Sequence, residues 1–485
     1  MKVYLGIDIG TTNMKCLVLG SDGNILEVMH KETPKKRISG ADYLDLEATR
    51  YILDKFISGA SGGNSMGGMA FSSIGETVVP VYKGKALSDP LMWYDGATRP
   101  IWEKHRTAVD GFSPYRITGV ENEYTFSIYK ILFQRELLPP DVVEHWLPVA
   151  SYFAYSLGAR PTWDMSLACR SFMIDIHRRC WNSPLLEYMG ESPERMGELV
   201  YTGRPIGFTP DGVPIVSAGH DHITGLFAAR VFARGEEFLF DSMGSASVVA
   251  AVIKAGDRNL VFDSPFMSGG TVGIAFEDSQ YYIESNLRYY GKLLQSLMNL
   301  TGLQASKEGY EKINSEIEKG KTWHSEPLFL VNGDLSAGEG MHGITVLEMP
   351  TTLTREQLIQ SAYIYLASSS KLIVDNLEKI TGRKLPVICG GGGSLNGLLM
   401  KYKASLLERE IWVLPTSELT ALGGALAAAS GVGDTRTVDR CVENLRPLKT
   451  EVDHEIAARL MEIFNKNSSR YSTIERERKI KFQEG

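Results

Sequence analysis

The sequence lacks the features of a disulfide-bonded, secreted or membrane-spanning chain. Its 485 residues include five cysteines, an odd number, and none of them lies in CxxC spacing. Scattered cysteines of this kind predict neither a disulfide framework nor a zinc site, and they suit a reducing cytoplasm. The first apolar run is interrupted by Asp8, and no stretch approaches the roughly eighteen apolar residues of a transmembrane helix. We therefore expect a cytoplasmic protein without membrane contacts.

An excess of basic residues is also missing. The formal net charge is -7, whereas binding to nucleic acid or to an anionic membrane needs clustered lysine and arginine. The hydrophobic content of 43% and the charged content of 22% are those of an ordinary soluble protein, long enough for two or three domains. We therefore expect small molecules as partners and do not expect nucleic acid.

The segment YLGIDIGTTNMKCLVLG near the N-terminus predicts a strand, a tight Gly-Thr-Thr bend and a second strand. Successive backbone N–H groups from Gly10 to Thr12 would form a concavity for a phosphate, and the hydroxyls would add donors. Asp8 would then face the metal that accompanies the phosphate, and Lys15 could reach the same anion. The alternatives are a hairpin without a ligand and, for Lys15, a solvated strand residue.

The segment EFLFDSMGSASVVAAVIKAG, which begins at Glu236, repeats this layout of apolar run, Asp, Gly, hydroxyl pair and apolar run. The residues that correspond to Asp8, Gly10, Thr11 and Thr12 are Asp241, Gly244, Ser245 and Ser247. The chain is therefore predicted to be internally duplicated, although strand-turn-strand units are common enough for a chance match.

Two further patterns concern secondary structure. Helical spacing predicts a helix from about Ala41 to Ile57. In KLPVICGGGGSLNGLLMKYKASLL, a strand is followed by four glycines and an amphipathic helix. The glycines permit close approach of a flat ring or a phosphate, and Ser394 and Asn396 could hydrogen-bond to its edge; the alternative is a sharp turn that requires positive φ.

Asp221, in SAGHDHITG, is the best candidate for a catalytic base. It falls where a strand ends and a helix begins, which is the usual place for site residues in open α/β sheets. A helix N-cap is the structural alternative. A metal site formed by His220, Asp221 and His222 is a weaker alternative, because adjacent strand residues point to opposite faces.

Two polar clusters in the first half have the composition of a sugar site. Glu76 ends the strand before GETVVP, and PLMWYDGATR contains Trp93 and Asp95. A carboxylate accepts hydrogen bonds from hydroxyls and an aromatic ring covers the C–H face of a sugar. Either cluster is equally compatible with a structural loop that carries a surface ion pair.

Taken in this order, the motifs resemble those of the FGGY carbohydrate kinases, the group that contains glycerol kinase, xylulokinase, gluconokinase and fuculokinase. GIDIGTTNMK is similar to the first phosphate motif, GSAS stands at the second, and GHD resembles the motif around the catalytic aspartate. GGGGSLNGLLMKYKASLL looks like the adenosine-binding strand and helix. The chain departs from the glycerol kinase pattern at Gly75, and from the Trp-x-Asp-x-Arg pattern at Ala97, where arginines are expected; Arg99 follows two residues later.

The resemblance implies an α/β fold of two actin-like (ribonuclease H-like) ATPase domains around a central cleft, divided as residues 1–245 and 246–485. The first domain would carry the sugar site and the base, and the second the nucleotide. It further implies Mg²⁺ near Asp8 and Asp221 as base. The implied contacts to ATP are Gly10, Thr11, Thr12, Asn13, Lys15, Gly244, Ser245, Gly392, Gly393 and Asn396. The implied contacts to the sugar are Glu76, Trp93, Asp95 and Asp221.

The predicted function is ATP-dependent phosphorylation of a small sugar, ketose or polyol, for which we expect a pentulose or deoxy-hexulose such as xylulose or fuculose. Asp221 would need only an ordinary pKa near ~4 to be ionised at neutral pH. A homodimer is possible. The alternatives are a glycerol or gluconate kinase of the same family, an actin-like or chaperone-like ATPase, and a regulator that has lost catalysis, for which Asp221 should be missing.

Overall fold

Two large mixed sheets dominate the computed structural model. It describes residues 1–60, 62–139, 142–244, 247–254, 262, 270–287, 290–320, 323, 328–332, 343–347 and 349–483. The first sheet has six strands in the order β5-β6-β4-β1-β2-β3. Its strands are β1 (Lys2–Ile9), β2 (Asn13–Gly20), β3 (Ile25–Glu32), β4 (Ser65–Ser73), β5 (Pro205–Phe208) and β6 (Pro214–His220).

The second sheet has seven strands in the order β9-β10-β8-β7-β11-β12-β13. Its strands are β7 (Leu239–Met243), β8 (Ser247–Lys254), β9 (Thr271–Ile274), β10 (Gln280–Leu287), β11 (Val387–Gly390), β12 (Ile411–Val413) and β13 (Leu448–Thr450).

The two sheets repeat one topology. In the first, β1 pairs antiparallel with β2 and parallel with β4, β2 pairs antiparallel with β3, β4 pairs parallel with β6, and β6 pairs antiparallel with β5. In the second, β7, β8, β11, β10, β12 and β13 follow the same pattern, and β9 is added at one edge. The predicted hairpins and the predicted duplication are thereby confirmed.

Helices cover both sheets. Those of eight residues or more are α1 (Leu46–Ala60), α2 (Arg99–Phe112), α3 (Ser127–Leu137), α4 (Val149–Ser156), α5 (Asp221–Phe232), α6 (Tyr290–Leu300), α7 (Lys307–Gly320), α8 (Arg355–Thr381), α9 (Gly397–Leu406), α10 (Leu419–Gly431), α11 (Thr435–Asn444) and α12 (His454–Gln483). The shorter α-helices are Tyr115–Thr118, Met165–Cys169, Ser183–Tyr188 and Pro193–Met196, and 3₁₀ turns lie at Gly96–Thr98 and Gly392–Leu395.

Minor strands form small sheets beside the two large ones. They are Lys35–Ile38, Ala41–Leu44, Val78–Tyr82, Lys85–Ala86, His145–Pro148, Thr162–Asp164, Ile174–Asp175, Cys180–Trp181, Glu198–Val200, Leu328–Asn332 and Gly343–Leu347. No helix in the described part of the chain is both long enough and apolar enough to span a membrane. The five cysteines are free thiols, and Cys180 is the exposed one.

The helix predicted from about Ala41 begins later. Residues Ala41–Leu44 form a strand that pairs antiparallel with Lys35–Ile38. Asp45 separates this strand from α1, because its Oδ1 accepts a hydrogen bond of 3.0 Å from the backbone N–H of Ala48. The side chain of Asp45 therefore acts as a helix cap, which the apolar periodicity did not reveal.

Helix α10 comes from the second half of the chain but packs on the first sheet. A Cβ atom at Gly6, in β1, would lie 1.8 Å from the carbonyl oxygen of Ala421 and 2.4 Å from the backbone nitrogen of Ala425. A Cβ at Gly423 would lie 2.1 Å from the carbonyl oxygen of Thr224 in α5. Glycine at these positions thus allows α10 to contact both β1 and α5 through backbone atoms.

The boundary between the domains follows from the sheets. Helix α5 ends at Phe232, and β7, which starts at Leu239, already hydrogen-bonds within the second sheet. A division by sheet membership therefore falls before Leu239, a few residues earlier than the predicted division after residue 245. The duplicated hairpin begins with β7, and the domain division after residue 245 stays a prediction.

The contact of α10 with β1 yields a prediction about stability. Gly6→Ala should lower the free energy of unfolding by about 3 kcal/mol, because the added methyl group meets backbone atoms that have no room to retreat. Urea unfolding followed by circular dichroism measures the change. Gly111→Ala is the matched control: a Cβ at Gly111, near the end of α2, has no atom within 4 Å, and alanine favours a helix over glycine. Equal stability of Gly6→Ala and the wild type would contradict the assignment of Gly6 as a packing residue.

Candidate active site

Three carboxylates lie at one edge of the first sheet. Strands β1, β4 and β6 are parallel neighbours, and the register aligns Ile9 of β1 and His220 of β6 with Ser73 of β4. Asp8 is next to the end of β1, Glu76 follows β4, and Asp221 follows β6 directly. The structure thus brings together the predicted metal ligand, a predicted sugar contact and the predicted base.

The predicted phosphate corner is a tight bend beside these carboxylates. The backbone N–H of Gly10 donates to the carbonyl of Asn13 at 3.1 Å, and the hydroxyl of Thr33 donates to the carbonyl of Gly10 at 2.8 Å. A Cβ at Gly10 would lie 2.8 Å from the Asn13 carbonyl oxygen, so glycine is needed for the bend. Thr12 and Asn13 are exposed at its tip.

Lys15 is held beside the corner by a partner from the second half of the chain. It lies directly opposite Asp8 in the β1–β2 ladder, and its Nζ is 2.7 Å from Oε2 of Glu418, the residue before α10. Burial raises the pKa of Glu418, but the contact with Lys15 lowers it, and the net direction is downward. Lys15 is therefore an ordered cation at the site and not a solvated strand residue.

Asp221 is the first residue of α5 and is partly exposed. Its Oδ1 accepts a hydrogen bond of 2.7 Å from the backbone N–H of His222 and lies 3.1 Å from Nε2 of His220. Burial raises the pKa of Asp221 to about 7 against this hydrogen bond, and Glu76 raises it further. The expectation of an ordinary aspartate pKa is therefore wrong, because the sequence does not report how deeply the carboxyl group is buried.

His220 and His222 do not complete a metal site in the described part of the chain, where no group of three or more potential ligands is found. Their rings lie 5.4 Å apart between centroids. Burial lowers the pKa of both imidazoles, that of His220 strongly. Both rings are therefore neutral around pH 7 and leave Asp221 without a cationic histidine partner.

Asp8 has the surroundings of a carboxylate that receives a cation. Its Oδ1 accepts a hydrogen bond of 3.1 Å from the hydroxyl of Ser72, and the residue is 7% exposed. Burial raises the pKa of Asp8, and the carboxylate of Asp221 raises it further. Mg²⁺ bound to nucleotide phosphates typically uses one or two protein carboxylates and oxygen ligands. The donor set of Asp8 with Asp221 nearby fits such an ion.

Glu76 is engaged by an arginine that the sequence analysis did not single out. Its Oε1 lies 2.6 Å from both Nε and Nη2 of Arg170, which follows the helix Met165–Cys169. The Nη1 atom of Arg170 also lies 3.8 Å from Oε1 of Glu284 in β10. Glu76 has φ +60°, a strained value for a residue other than glycine. No local motif announces Arg170 or Glu284, because the three residues are far apart in sequence.

The space beside Gly75, where the related pattern has arginine, is filled by neighbouring side chains. A Cβ at Gly75 would lie 3.1 Å from Cδ2 of His220 and 3.3 Å from Cβ of Arg170. Arg99, the other arginine near an expected position, stacks 4.7 Å from the ring centroid of Tyr124. The arginine that contacts Glu76 is therefore Arg170.

Trp93 and Asp95 have defined partners. The indole N–H of Trp93 donates to the hydroxyl of Thr11 at 2.9 Å, which joins the predicted sugar cluster to the phosphate corner. The two carboxylate oxygens of Asp95 accept from the backbone N–H groups of Ala97, at 2.9 Å, and Asp42, at 2.7 Å. Asp95 thus caps the Gly96–Thr98 turn, so any contact with a sugar would use its remaining lone pairs.

Lys130 is a second functional candidate that sequence reasoning missed. Its side chain is completely buried in α3, and Nζ donates to the backbone carbonyl of Thr125. Burial lowers the pKa of Lys130 to about 7, while the carboxylates of Glu76 and Asp95 act in the opposite direction. A buried lysine that interacts electrostatically with two carboxylates is visible only once the tertiary structure is known.

The predicted nucleotide residues form a second group in the second domain. Gly244 is exposed at the end of β7, and Ser245 lies outside the described residues. A Cβ at Gly393 would lie 3.1 Å from Cβ of Met243, whereas a Cβ at Gly392 would meet nothing within 4 Å. The glycine run therefore packs against the end of β7 and presents Gly392 to open space.

Asn396 is fully buried and caps helix α9. Its side-chain oxygen accepts from the backbone N–H of Leu399 and from Nδ2 of Asn314, each at 3.1 Å. Burial raises the pKa of the Tyr363 hydroxyl, and a hydrogen bond from the side chain of Asn396 lowers it. The side chain of Asn396 is therefore engaged by neighbouring residues, and a contact with adenosine would compete with these partners.

The first turn of α10 touches both groups of residues. Glu418 pairs with Lys15, and the hydroxyl of Thr420 donates to the backbone carbonyl of Asp221 at 3.3 Å. A Cβ at Gly390, which starts the glycine run, would lie 2.0 Å from Cδ1 of Leu419. One helical turn therefore connects the phosphate corner, the candidate base and the glycine-rich loop.

Comparison with known proteins places this chain in a family. The model of the FGGY family of carbohydrate kinases, N-terminal domain, matches residues 3–228, and that of the C-terminal domain matches residues 268–432. Glycerol kinase 1 of Lactiplantibacillus plantarum is 23% identical over 481 residues, covering 92% of each chain. L-fuculokinase of Haemophilus influenzae is 23% identical over 480 residues, covering 93% of this chain and 99% of its own.

The fold is also shared with solved structures. Plasmodium falciparum glycerol kinase, crystallised with ADP, superposes with a TM-score of 0.79 at 17% identity, covering 97% of this chain and 98% of that one. The mixed α/β architecture is thus that of two FGGY, actin-like domains, as predicted. The chain belongs to the FGGY family of carbohydrate kinases, enzymes that transfer a phosphoryl group to an alcohol group.

Proposed function

We propose that this enzyme transfers the γ-phosphoryl group of ATP to a hydroxyl group of a small sugar, ketose or polyol, with Asp221 as the general base. The observation that carries the proposal is the meeting of Asp8, Glu76 and Asp221 at the ends of three adjacent parallel strands, beside the Gly10–Thr12 bend. ATP as donor is supported by the ADP in the related Plasmodium falciparum glycerol kinase.

The residues at this edge of the first sheet and in the neighbouring bend each have a role in the proposed reaction. Asp221 accepts the proton of the acceptor hydroxyl as its oxygen attacks the γ-phosphorus, and the bond to the β-γ bridging oxygen breaks. The backbone N–H groups of the bend and the ammonium of Lys15 stabilise the charge on the phosphate oxygens. Asp8, near Asp221, would hold Mg²⁺, which when bound neutralises phosphate charge and orients the transferred group. Glu76 and Trp93 position the acceptor.

The second domain would hold the remainder of the nucleotide. Gly244 and Gly392 are exposed at neighbouring chain segments, and Gly393 packs below them. Backbone without side chains allows an adenosine to approach closely. For the acceptor we propose a pentulose or a deoxy-hexulose such as xylulose or fuculose, and the relatives named above include an L-fuculokinase as well as a glycerol kinase.

Substitution of the base tests the proposal. Asp221→Asn should lower kcat by about 10²- to 10⁴-fold with little change in ATP binding, because the amide keeps the shape of the carboxylate but accepts no proton. The assay is ADP release with Mg²⁺-ATP against glycerol, erythritol, xylulose, ribulose, fuculose, rhamnulose and gluconate. Asp211→Asn, at an exposed turn, is the control and should behave as the wild type. If Asp221→Asn turned over at the wild-type rate, Asp221 would not be the general base.

The raised pKa of Asp221 predicts the pH dependence of the reaction. The base works only when it is ionised, and burial raises its pKa to about 7 in the free enzyme. The value of kcat/KM for the acceptor should therefore fall as the pH decreases through about 7, because a growing fraction of Asp221 is protonated. Initial rates measured between about pH 5.5 and 8.5, a range that brackets this pKa, give the profile. A flat profile across this range would show that Asp221 is ionised throughout.

A further inference from the structure

The ion cluster Glu76–Arg170–Glu284 joins the two domains. Glu76 and Arg170 belong to the first domain, whereas Glu284 lies on β10 of the second sheet. The exposed fractions of the three side chains are 5%, 18% and 3%. The cluster is thus almost entirely removed from solvent, and its charges interact strongly with anything that enters beside it.

Strand β10 is fixed in this position by direct contacts between the domains. The hydroxyl of Tyr281 donates to the backbone carbonyl of Ile176 at 3.1 Å. In the neighbouring strand β9, the backbone N–H of Val272 donates to the carbonyl of Gly119 at 2.7 Å. Gly119 has φ +73°, and a Cβ there would lie 2.0 Å from the carbonyl oxygen of Val272. Glu284 is therefore held against the first domain by its own strand and not only by Arg170.

The positive charge of Arg170 is already matched by two carboxylates. Its Nε and Nη2 atoms contact Glu76 at 2.6 Å, and its Nη1 atom lies 3.8 Å from Glu284. Asp221 and Asp8 add two further carboxyl groups at the same edge. A third carboxylate brought to Arg170 by a ligand would thus meet the like charges of Glu76 and Glu284.

Unpartnered polar atoms show what the site lacks. Oε2 of Glu284 has no hydrogen-bond partner among the described residues, and neither has the hydroxyl of Tyr282, two positions earlier on the same face of β10. Nδ1 of His220, beside Asp221, is likewise without a partner in that part of the chain. A buried carboxylate oxygen without a donor is costly. A hydroxyl group, which both donates and accepts, has the hydrogen-bonding capacity that each of these atoms needs.

We propose that Glu284 is a specificity-determining residue, which together with Glu76 and Arg170 selects an uncharged polyhydroxylated acceptor and rejects one that carries a carboxylate. The inference rests on the proposed function, because it concerns the acceptor of the same reaction. The neutral acceptor donates a hydroxyl hydrogen to Oε2 of Glu284, whereas a sugar acid places its carboxylate against this oxygen. The second domain thereby contributes to the choice of acceptor as well as to nucleotide binding.

Kinetics on matched acceptors test this proposal. The best neutral acceptor should exceed the aldonate of the same chain length by about 100-fold or more in kcat/KM, because like charges in a buried site repel each other strongly. Glu284→Gln should narrow this ratio by about tenfold, chiefly through a lower KM for the aldonate. Glu237→Gln is the control: Glu237 also pairs with an arginine, Arg383, but precedes β7 at its amino end, and the ratio should not change. An aldonate as good as the neutral acceptor, or an unchanged ratio in Glu284→Gln, would overturn the proposal.

Binding measurements separate this proposal from the proposed function. If Glu284→Gln does not fold, calorimetry measures the binding of the same two acceptors to the wild-type enzyme. Binding of the neutral compound alone supports the rejection of carboxylate-bearing acceptors, and equal binding of both compounds refutes it. If no acceptor stimulates ADP release, the kinase proposal fails, and the same calorimetric comparison still reports on the charge preference of the pocket.

Discussion

The constraint on which the rest of the site depends is the parallel pairing of β1, β4 and β6. Parallel neighbours end at one edge, so the carboxylates at or just after their ends, Asp8, Glu76 and Asp221, are forced into one buried region. Carboxylates in such proximity repel each other and lose hydration. The raised pKa values of Asp8 and Asp221 are the measure of that cost, and a bound cation would relieve it.

Cationic side chains from distant parts of the chain reduce the repulsion among these carboxylates. Arg170 stands against Glu76, and Lys15 stands opposite Asp8 while pairing with Glu418. The corresponding aspartate in the second domain, Asp241, has different partners. Asp241 is completely buried, and its Oδ2 accepts from Lys403 and from the hydroxyl of Ser370, the latter at 2.6 Å. The repeated hairpin thus carries a carboxylate that accepts from a serine hydroxyl in one copy and a carboxylate that is paired with a buried lysine in the other.

Local patterns predicted what depends on nearby residues. The hairpins, the duplication and the strand-to-helix break at Asp221 follow from alternation and turn chemistry, and the structure confirms them. The pairing of Glu76 with Arg170 joins residues 94 positions apart, and no spacing rule reaches that far. The pKa of Asp221 and the buried state of Lys130 depend on tertiary burial, which a single sequence does not encode locally. Of the two contacts of Asp95, the one with Ala97 is local turn geometry, whereas the one with Asp42 joins residues 53 positions apart.

Helix α10 has a consequence for the order in which this protein folds during synthesis. Its residues, 419–431, leave the ribosome long after β1, yet they cover β1 and α5 through contacts at Gly6 and Thr224. The first sheet therefore keeps an apolar face uncovered until most of the chain has been translated. The two halves are repeats in topology, but the first half depends on the second for its own core. Neither the order of residues along the chain nor the boundary between the sheets therefore marks an independent folding unit.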